Sequence, residues 1–164
     1  MSNTMSEISY SDKYQAGLDI TEIAKRLRRE IKAAIKAGEL PKCKYSVRTS
    51  RYSMGQSLNV RVTETPFPVH NRRYLELERE ILSGYHTRQR VNDLYIERDS
   101  TQRWTQEAID LIKTLEGMVD QWNYDGSDSQ TDYFNVNYYS HVDYDAHDEW
   151  VEMTNEIKRG TPAL

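Results

Sequence analysis

Two runs of strict alternation flank a short glycine-containing connection. Tyr45, Val47 and Thr49 alternate with Ser46, Arg48 and Ser50, and Leu58, Val60 and Val62 alternate with Asn59, Arg61 and Thr63. Arg51 to Gln56, which includes Gly55, joins them. Period-two alternation on both sides of such a connection predicts a half-buried antiparallel hairpin. Its apolar face requires cover, and the remaining chain supplies it.

Two helical stripes meet that need. Asp19 opens the first, with Glu22 three positions on in the manner of a capping box. Ile20, Ile23, Ala24, Leu27, Ile31, Ala34 and Ile35 then recur at helical spacing, while Lys and Arg hold much of the opposite surface. Gly38 is a C-cap candidate and Pro41 bars continuation, so the helix is expected over Asp19–Ala37. The second spans Trp104–Trp122, with Ala108, Leu111, Ile112, Leu115, Met118 and Val119 on one side and Thr101 or Thr105 as cap. Gly117 lies inside it, at a cost of up to about 1 kcal/mol relative to alanine, and is expected to allow a close approach to the sheet.

A turn-rich linker, Asn123 to Thr131, leads into a third alternating run, Asp132 to Tyr144. Phe134, Val136, Tyr138, Ser140 and Val142 form one of its faces; Tyr133, Asn135, Asn137, Tyr139, His141 and Asp143 form the other. Asp148 to Arg159 reads as a final helix with Trp150, Met153 and Ile157. Thr65-Pro-Phe-Pro68 is a break, and residues 66–103 read as a partly helical insertion containing a short helix from Asn71 to Leu82. Residues 1–17 lack periodicity and are expected to be a flexible tail, with 18–164 a single domain. The fold class is α+β in two layers: a small three-stranded, mainly antiparallel sheet with the two long amphipathic helices on one face, the helical insertion and a C-terminal helix. The simplest sheet sets the third strand beside the first, antiparallel to it.

The length of 164 residues suits one domain. Twelve tyrosines against two phenylalanines suggest a small core with amphipathic edges, because tyrosine covers apolar surface while keeping a polar tip. The single Cys43 excludes an intrachain disulfide and a cysteine-based zinc site. Neither a membrane-length apolar run nor a leader-peptide core is visible, so a cytoplasmic protein without membrane partners is expected.

Charge is unevenly spread. Met1 to Glu64 holds 12 Lys/Arg and 7 Asp/Glu, Thr65 to Leu115 holds 8 of each, and Glu116 to Ile157 holds 11 Asp/Glu with no Lys or Arg. The two ends can attract each other, or they can serve different partners. The candidate acidic partner surface is Asp125, Asp128, Asp132, Asp143, Asp145, Asp148 and Glu149. The candidate nucleic-acid surface joins Arg26, Arg28 and Arg29 of the first helix to Arg48, Arg61, Tyr133 and Tyr139 of the sheet's polar face. Tyrosines and arginines on an open sheet can stack single-stranded bases and neutralise phosphates.

Catalytic chemistry finds little support. His141, Asp143, Asp145 and His147 alternate as metal ligands could, but four ligands along one straight strand span too far to meet at one ion. A polar strand face running into a helix cap explains them. Asp125, Asp128 and Asp132 lack the spacing of an EF-hand and suit turn and cap hydrogen bonds. Cys43 lies between Lys42 and Lys44, which could lower its pKa, yet no base accompanies it. The expectation is a protein that is not an enzyme and carries no metal or cofactor.

Three blocks of the chain resemble a known family, the large polyvalent protein-associated domain of class twenty-nine. They are the opening helix from Ile20 to Arg28, the hairpin block from Lys44 to Val60, and the block from Asp125 to Tyr139. The insertion and terminal helix lie outside them. The resemblance implies a phage, plasmid or conjugative-element context. That family has no established biochemical activity, so the resemblance carries over no catalytic residues. It is compatible with a non-enzymatic protein that engages a host protein, and single-stranded nucleic-acid binding is the alternative.

Overall fold

In the computed structural model, residues 9–82, 103–125 and 137–160 are described. In chain order the elements are β1 (Ser9–Tyr10), α1 (Ile20–Lys36), β2 (Lys44–Tyr52), β3 (Gly55–Glu64) and α2 (Arg72–Leu82). They continue with α3 (Gln106–Asp120), β4 (Tyr124–Asp125), β5 (Tyr139–Tyr144) and α4 (His147–Lys158). The fold is α+β, as the alternation and helical stripes predict.

The hairpin is antiparallel, with Val47 opposite Val60 and Thr49 opposite Leu58. Its turn is tighter than expected: Tyr52 pairs with Gly55, leaving Ser53 and Met54 between the strands. The third strand departs from expectation in position and direction. β5 lies beside β3 and parallel to it, with Val142 opposite Val60 and Tyr144 opposite Val62, so the order is β2-β3-β5 and the sheet is mixed. The chain leaves β3, crosses the covered face along α3 and re-enters at the end where β3 began, which makes the next strand parallel. Each outer strand also acquires its own helix, α1 against β2 and α3 against β5. Phe134, Val136 and the other expected strand residues up to 136 lie outside the described residues.

The core fills the space between the two long helices and the apolar sheet face. Ile20, Ile23, Leu27 and Ile31 of α1 and Leu111, Leu115 and Val119 of α3 are buried against Leu58, Val60 and Val62 of β3. Trp122 and Tyr138 close one end, and the Tyr138 hydroxyl donates to the Val119 carbonyl. The guanidinium of Arg26 and the ammonium of Lys13 lie 5.5 and 5.6 Å from the Trp122 ring.

The helix ends follow sequence cues only in part. Gly38 takes φ +78°, and the Glu39 N–H donates to the Ala34 carbonyl at 2.9 Å, a Schellman stop for α1. Asp19 does not cap α1 with its side chain; its carboxylate accepts from Thr21 and Arg51 instead. Thr105 caps α3, accepting from the Ala108 N–H. Gly117 does not approach the sheet: it faces solvent, and a Cβ there would meet nothing within 4 Å.

Residues 9–17 are not a loose tail. Ser9 and Tyr10 pair antiparallel with Asp125 and Tyr124, the Lys13 N–H donates to the Gln121 carbonyl at 2.8 Å, and the Lys13 ammonium meets Glu30 at 3.0 Å. A two-residue strand of Ser and Tyr has no periodicity to betray it. The 66–103 segment has closely joined ends, since the Asn71 N–H donates to the Arg103 carbonyl and the Thr105 N–H to that of Val69. Its helix α2 packs on α4 through Tyr74, Leu75, Met153 and Ile157, and Arg72 meets Glu156 at 2.9 Å.

Candidate functional site

With α1 and α3 on one face, the other face of the sheet is a ruled surface of polar side chains. The pairing sets them in rows across β2, β3 and β5: Ser50–Ser57–Tyr139, Arg48–Asn59–His141 and Ser46–Arg61–Asp143. Tyr52 continues the alternation of β2 at the hairpin end. It is 48% exposed, and Met54 in the turn is 88% exposed. Gly55 accommodates the aromatic end, because a Cβ there would lie 3.4 Å from the Tyr139 ring and 3.6 Å from that of Tyr52.

The electrostatics of this face are balanced. Arg61 makes a forked pair with Asp143, its Nε and Nη2 at 3.2 and 3.3 Å from the two carboxylate oxygens. The Asp143 carboxylate holds the guanidinium above its ordinary pKa, chiefly through that hydrogen bond. Asp145 joins Arg48, Asn59, Arg61, His141 and Asp143 around a shallow depression of 400 Å³. Two arginines thus face two aspartates, and among the described residues Arg48 makes no ion pair.

The nucleic-acid candidates do not come together. Arg48, Arg61 and Tyr139 share the open face, whereas Arg26, Arg28 and Arg29 belong to α1 on the covered side. Each of the three is also engaged: Arg26 with Glu22 and the Trp122 ring, Arg28 with the Val47 carbonyl at 2.6 Å, and Arg29 with Glu22 at 3.8 Å. Tyr133, Asp128 and Asp132 lie outside the described residues, and Asp125 belongs to β4, which pairs with β1 in a separate two-stranded sheet.

The acidic candidates separate too. Asp143 is paired with Arg61, and Asp145 borders the depression. Asp148 is exposed at the start of α4. Glu149 turns inward: its carboxylate accepts from the Val69 N–H at 2.9 and 3.1 Å and from the His70 N–H at 2.9 Å. Sequence reasoning missed Tyr52, which it placed in the turn although the alternation Ser46, Arg48, Ser50, Tyr52 was available. It also missed Glu152, exposed one helical turn beyond Asp148.

His141 and Asp143 stay on the sheet, while His147 begins α4 and stacks on Trp150 at 5.8 Å. Among the described residues no three His, Cys, Asp or Glu side chains converge on one point. Partial burial pushes the Cys43 thiol pKa up, opposite to the lowering that its lysine neighbours suggested; a hydrogen bond with Tyr45 only partly offsets this. A cavity of 610 Å³ between α2, α3 and α4 is lined by His70, Tyr74, Trp104, Lys113 and Trp150. His70 Nε2 lies 3.1 Å from the Ala146 carbonyl there.

These features define a two-layer α+β domain with one sheet face packed and the other open and charge-balanced. The chain belongs to the large polyvalent protein-associated domain 29 family, whose model matches residues 18–158. That match spans the 66–103 segment and reaches the last helix, beyond the three blocks that carry the resemblance. Comparison with curated proteins and with solved structures finds no match. Among the described residues, no helix is long and apolar enough to cross a membrane.

Proposed function

We propose that this domain is a non-enzymatic binding module of a phage or other mobile element, working in the host cytoplasm and engaging a host protein through the open sheet face. The observation that carries this reading is the composition of that face. Exposed Tyr52, Met54 and Arg48 stand beside Tyr139 and His141, with charges that cancel. Tyrosine, methionine and arginine are the side chains enriched where proteins meet proteins. Asp145 at the border of the depression and exposed Asp148 at the start of α4 supply an acidic rim for a basic partner. Single-stranded nucleic acid is disfavoured on the same surface. A polyanion gains little from two arginines matched by two aspartates, and the remaining candidate arginines lie on the other side of the sheet.

The test is affinity capture from host lysate on the immobilised chain, compared with Tyr52→Ala, Arg48→Ala and the pair Asp148→Asn/Glu152→Gln. The reading expects a captured protein that Tyr52→Ala and Arg48→Ala each lose and the α4 pair at most weakens. Capture that is equal for all variants overturns it. So does saturable binding of labelled single-stranded oligonucleotide at low salt that Tyr139→Ala abolishes.

A further inference from the structure

β2 is an outer strand. β3 pairs along one side of it, and among the described residues nothing pairs along the other. An outer strand presents backbone N–H and C=O groups that another chain can pair with, and proteins commonly blunt such edges with proline, bulges or very short strands. β2 has nine residues and no proline, and its register shifts only at its start, between Lys44 and Tyr45.

One side chain from outside the sheet bonds to the backbone of β2. Arg28 of α1 donates to the Val47 carbonyl at 2.6 Å. A carbonyl held in the ladder points at the neighbouring strand, so this bond marks Val47 as outward-facing, and alternation gives Tyr45 and Thr49 the same orientation. Between this edge and α1 runs a groove of 400 Å³. Its floor is Ile31, Ile35, Tyr45 and Val47, and its rim is Arg28 and Lys32, with no carboxylate among the lining residues. α1 as a whole carries six Lys/Arg against Glu22 and Glu30.

We propose that this groove takes an extended acidic segment of a partner protein, added as a further strand along β2. Main-chain hydrogen bonds to the outward groups of Tyr45, Val47 and Thr49 would supply affinity, and alternate side chains would supply selection. Apolar side chains of the segment rest on Ile31 and Ile35, and acidic ones meet Lys32 and Arg28. A peptide N–H takes over the Val47 carbonyl, which frees the Arg28 guanidinium to hold a carboxylate through two hydrogen bonds. The site shares only Ser46 with the depression on the open face, so it stands or falls separately from that reading.

The experiment is a fluorescence-anisotropy titration of the full chain with a labelled octapeptide of alternating valine and glutamate. Saturable binding is expected at low salt. Removing a charge-assisted contact by Lys32→Glu should weaken it about tenfold or more. Lys32 is exposed, so the fold tolerates that change. A probe with lysine in place of glutamate should bind Lys32→Glu better than the parent. N-methylation of one alternate set of peptide nitrogens should abolish binding and of the other set should spare it. Amide exchange at Tyr45, Val47 and Thr49 should slow in the complex. Equal binding of both N-methylated probes, indifference to Lys32→Glu, or self-association through this edge without probe binding each overturns the proposal.

Discussion

Glu149 holds two parts of the chain together, and its removal has a calculable consequence. Its carboxylate accepts the N–H groups of Val69 and His70, and so ties the first turn of α4 to the segment that also meets Arg103 and Thr105. Val69 is 3% exposed, so in Glu149→Ala its N–H finds neither protein nor water. A buried donor left unsatisfied costs about 1–3 kcal/mol. His70 is half-buried, so water can replace part of what it loses. The two together amount to about 2–4 kcal/mol, a large share of the 5–15 kcal/mol or so that a domain has. Glu149→Gln keeps one acceptor oxygen but brings an amide NH2 toward two donors, and should recover at most half of the loss. Equilibrium urea denaturation gives the total, and amide hydrogen exchange locates it: Val69, His70 and the first turn of α4 should open first. A Glu149→Ala protein within about 0.5 kcal/mol of the parent, the usual range for surface changes, with protection at residues 69 and 70 intact, would refute the reasoning.

Gly117→Ala should stabilise the domain by up to about 1 kcal/mol, because the added methyl meets open space and the helix gains a better former; differential scanning calorimetry should show a raised Tm. Leu27 is fully buried. Leu27→Ala should cost about 2–5 kcal/mol, and Leu27→Asp, which buries an unpaired charge, should abolish the cooperative thermal transition. Burial raises the phenol pKa values of Tyr45, Tyr138 and Tyr144, so these should ionise last in an absorbance titration at alkaline pH. In the alkaline range the folded state keeps protons that the unfolded state has released. Their contribution to stability is therefore complete below the unfolded phenol pKa of about 10 and falls as pH rises above it. A urea midpoint that climbs from pH 9 to 11 would contradict this.

The legible parts of the fold were those where one short-range rule decides the outcome. Alternation fixed which residues of Tyr45–Ser50 and Leu58–Val62 face inward, because a one-residue slip would turn every side chain over. Helical spacing found Ile23, Leu27 and Ile31 for the same reason. Strand order was not legible: Val142 fits equally well opposite Val47 or opposite Val60, and only the packing of α3 over β5 chooses between them. Gly117 misled because a glycine in a helix is compatible with either a close approach or an empty surface. The open face was legible residue by residue, but the pairing of Arg61 with Asp143 depends on β5 lying next to β3. Beside β2 instead, Asp143 would have lain on the same face but nearer Arg48 than Arg61.

The same dependence governs the acidic stretch from Glu116 to Ile157. Read as a run of charge, it looks like a surface waiting for a basic partner. In the fold, Asp120 accepts from Ser140, Asp143 from Arg61, Glu149 from two backbone amides and Glu156 from Arg72. These carboxylates stabilise the placement of β5 and α4 against the segment that precedes them. Among the described residues of this stretch, Glu116, Asp145, Asp148 and Glu152 are exposed and outside those pairings, and of these Asp145, Asp148 and Glu152 lie together where β5 runs into α4. Neutralising the whole stretch would therefore confound loss of binding with loss of fold. Neutralising Asp148 and Glu152 alone separates the two, and this is why the acidic variant in the capture experiment is confined to that pair.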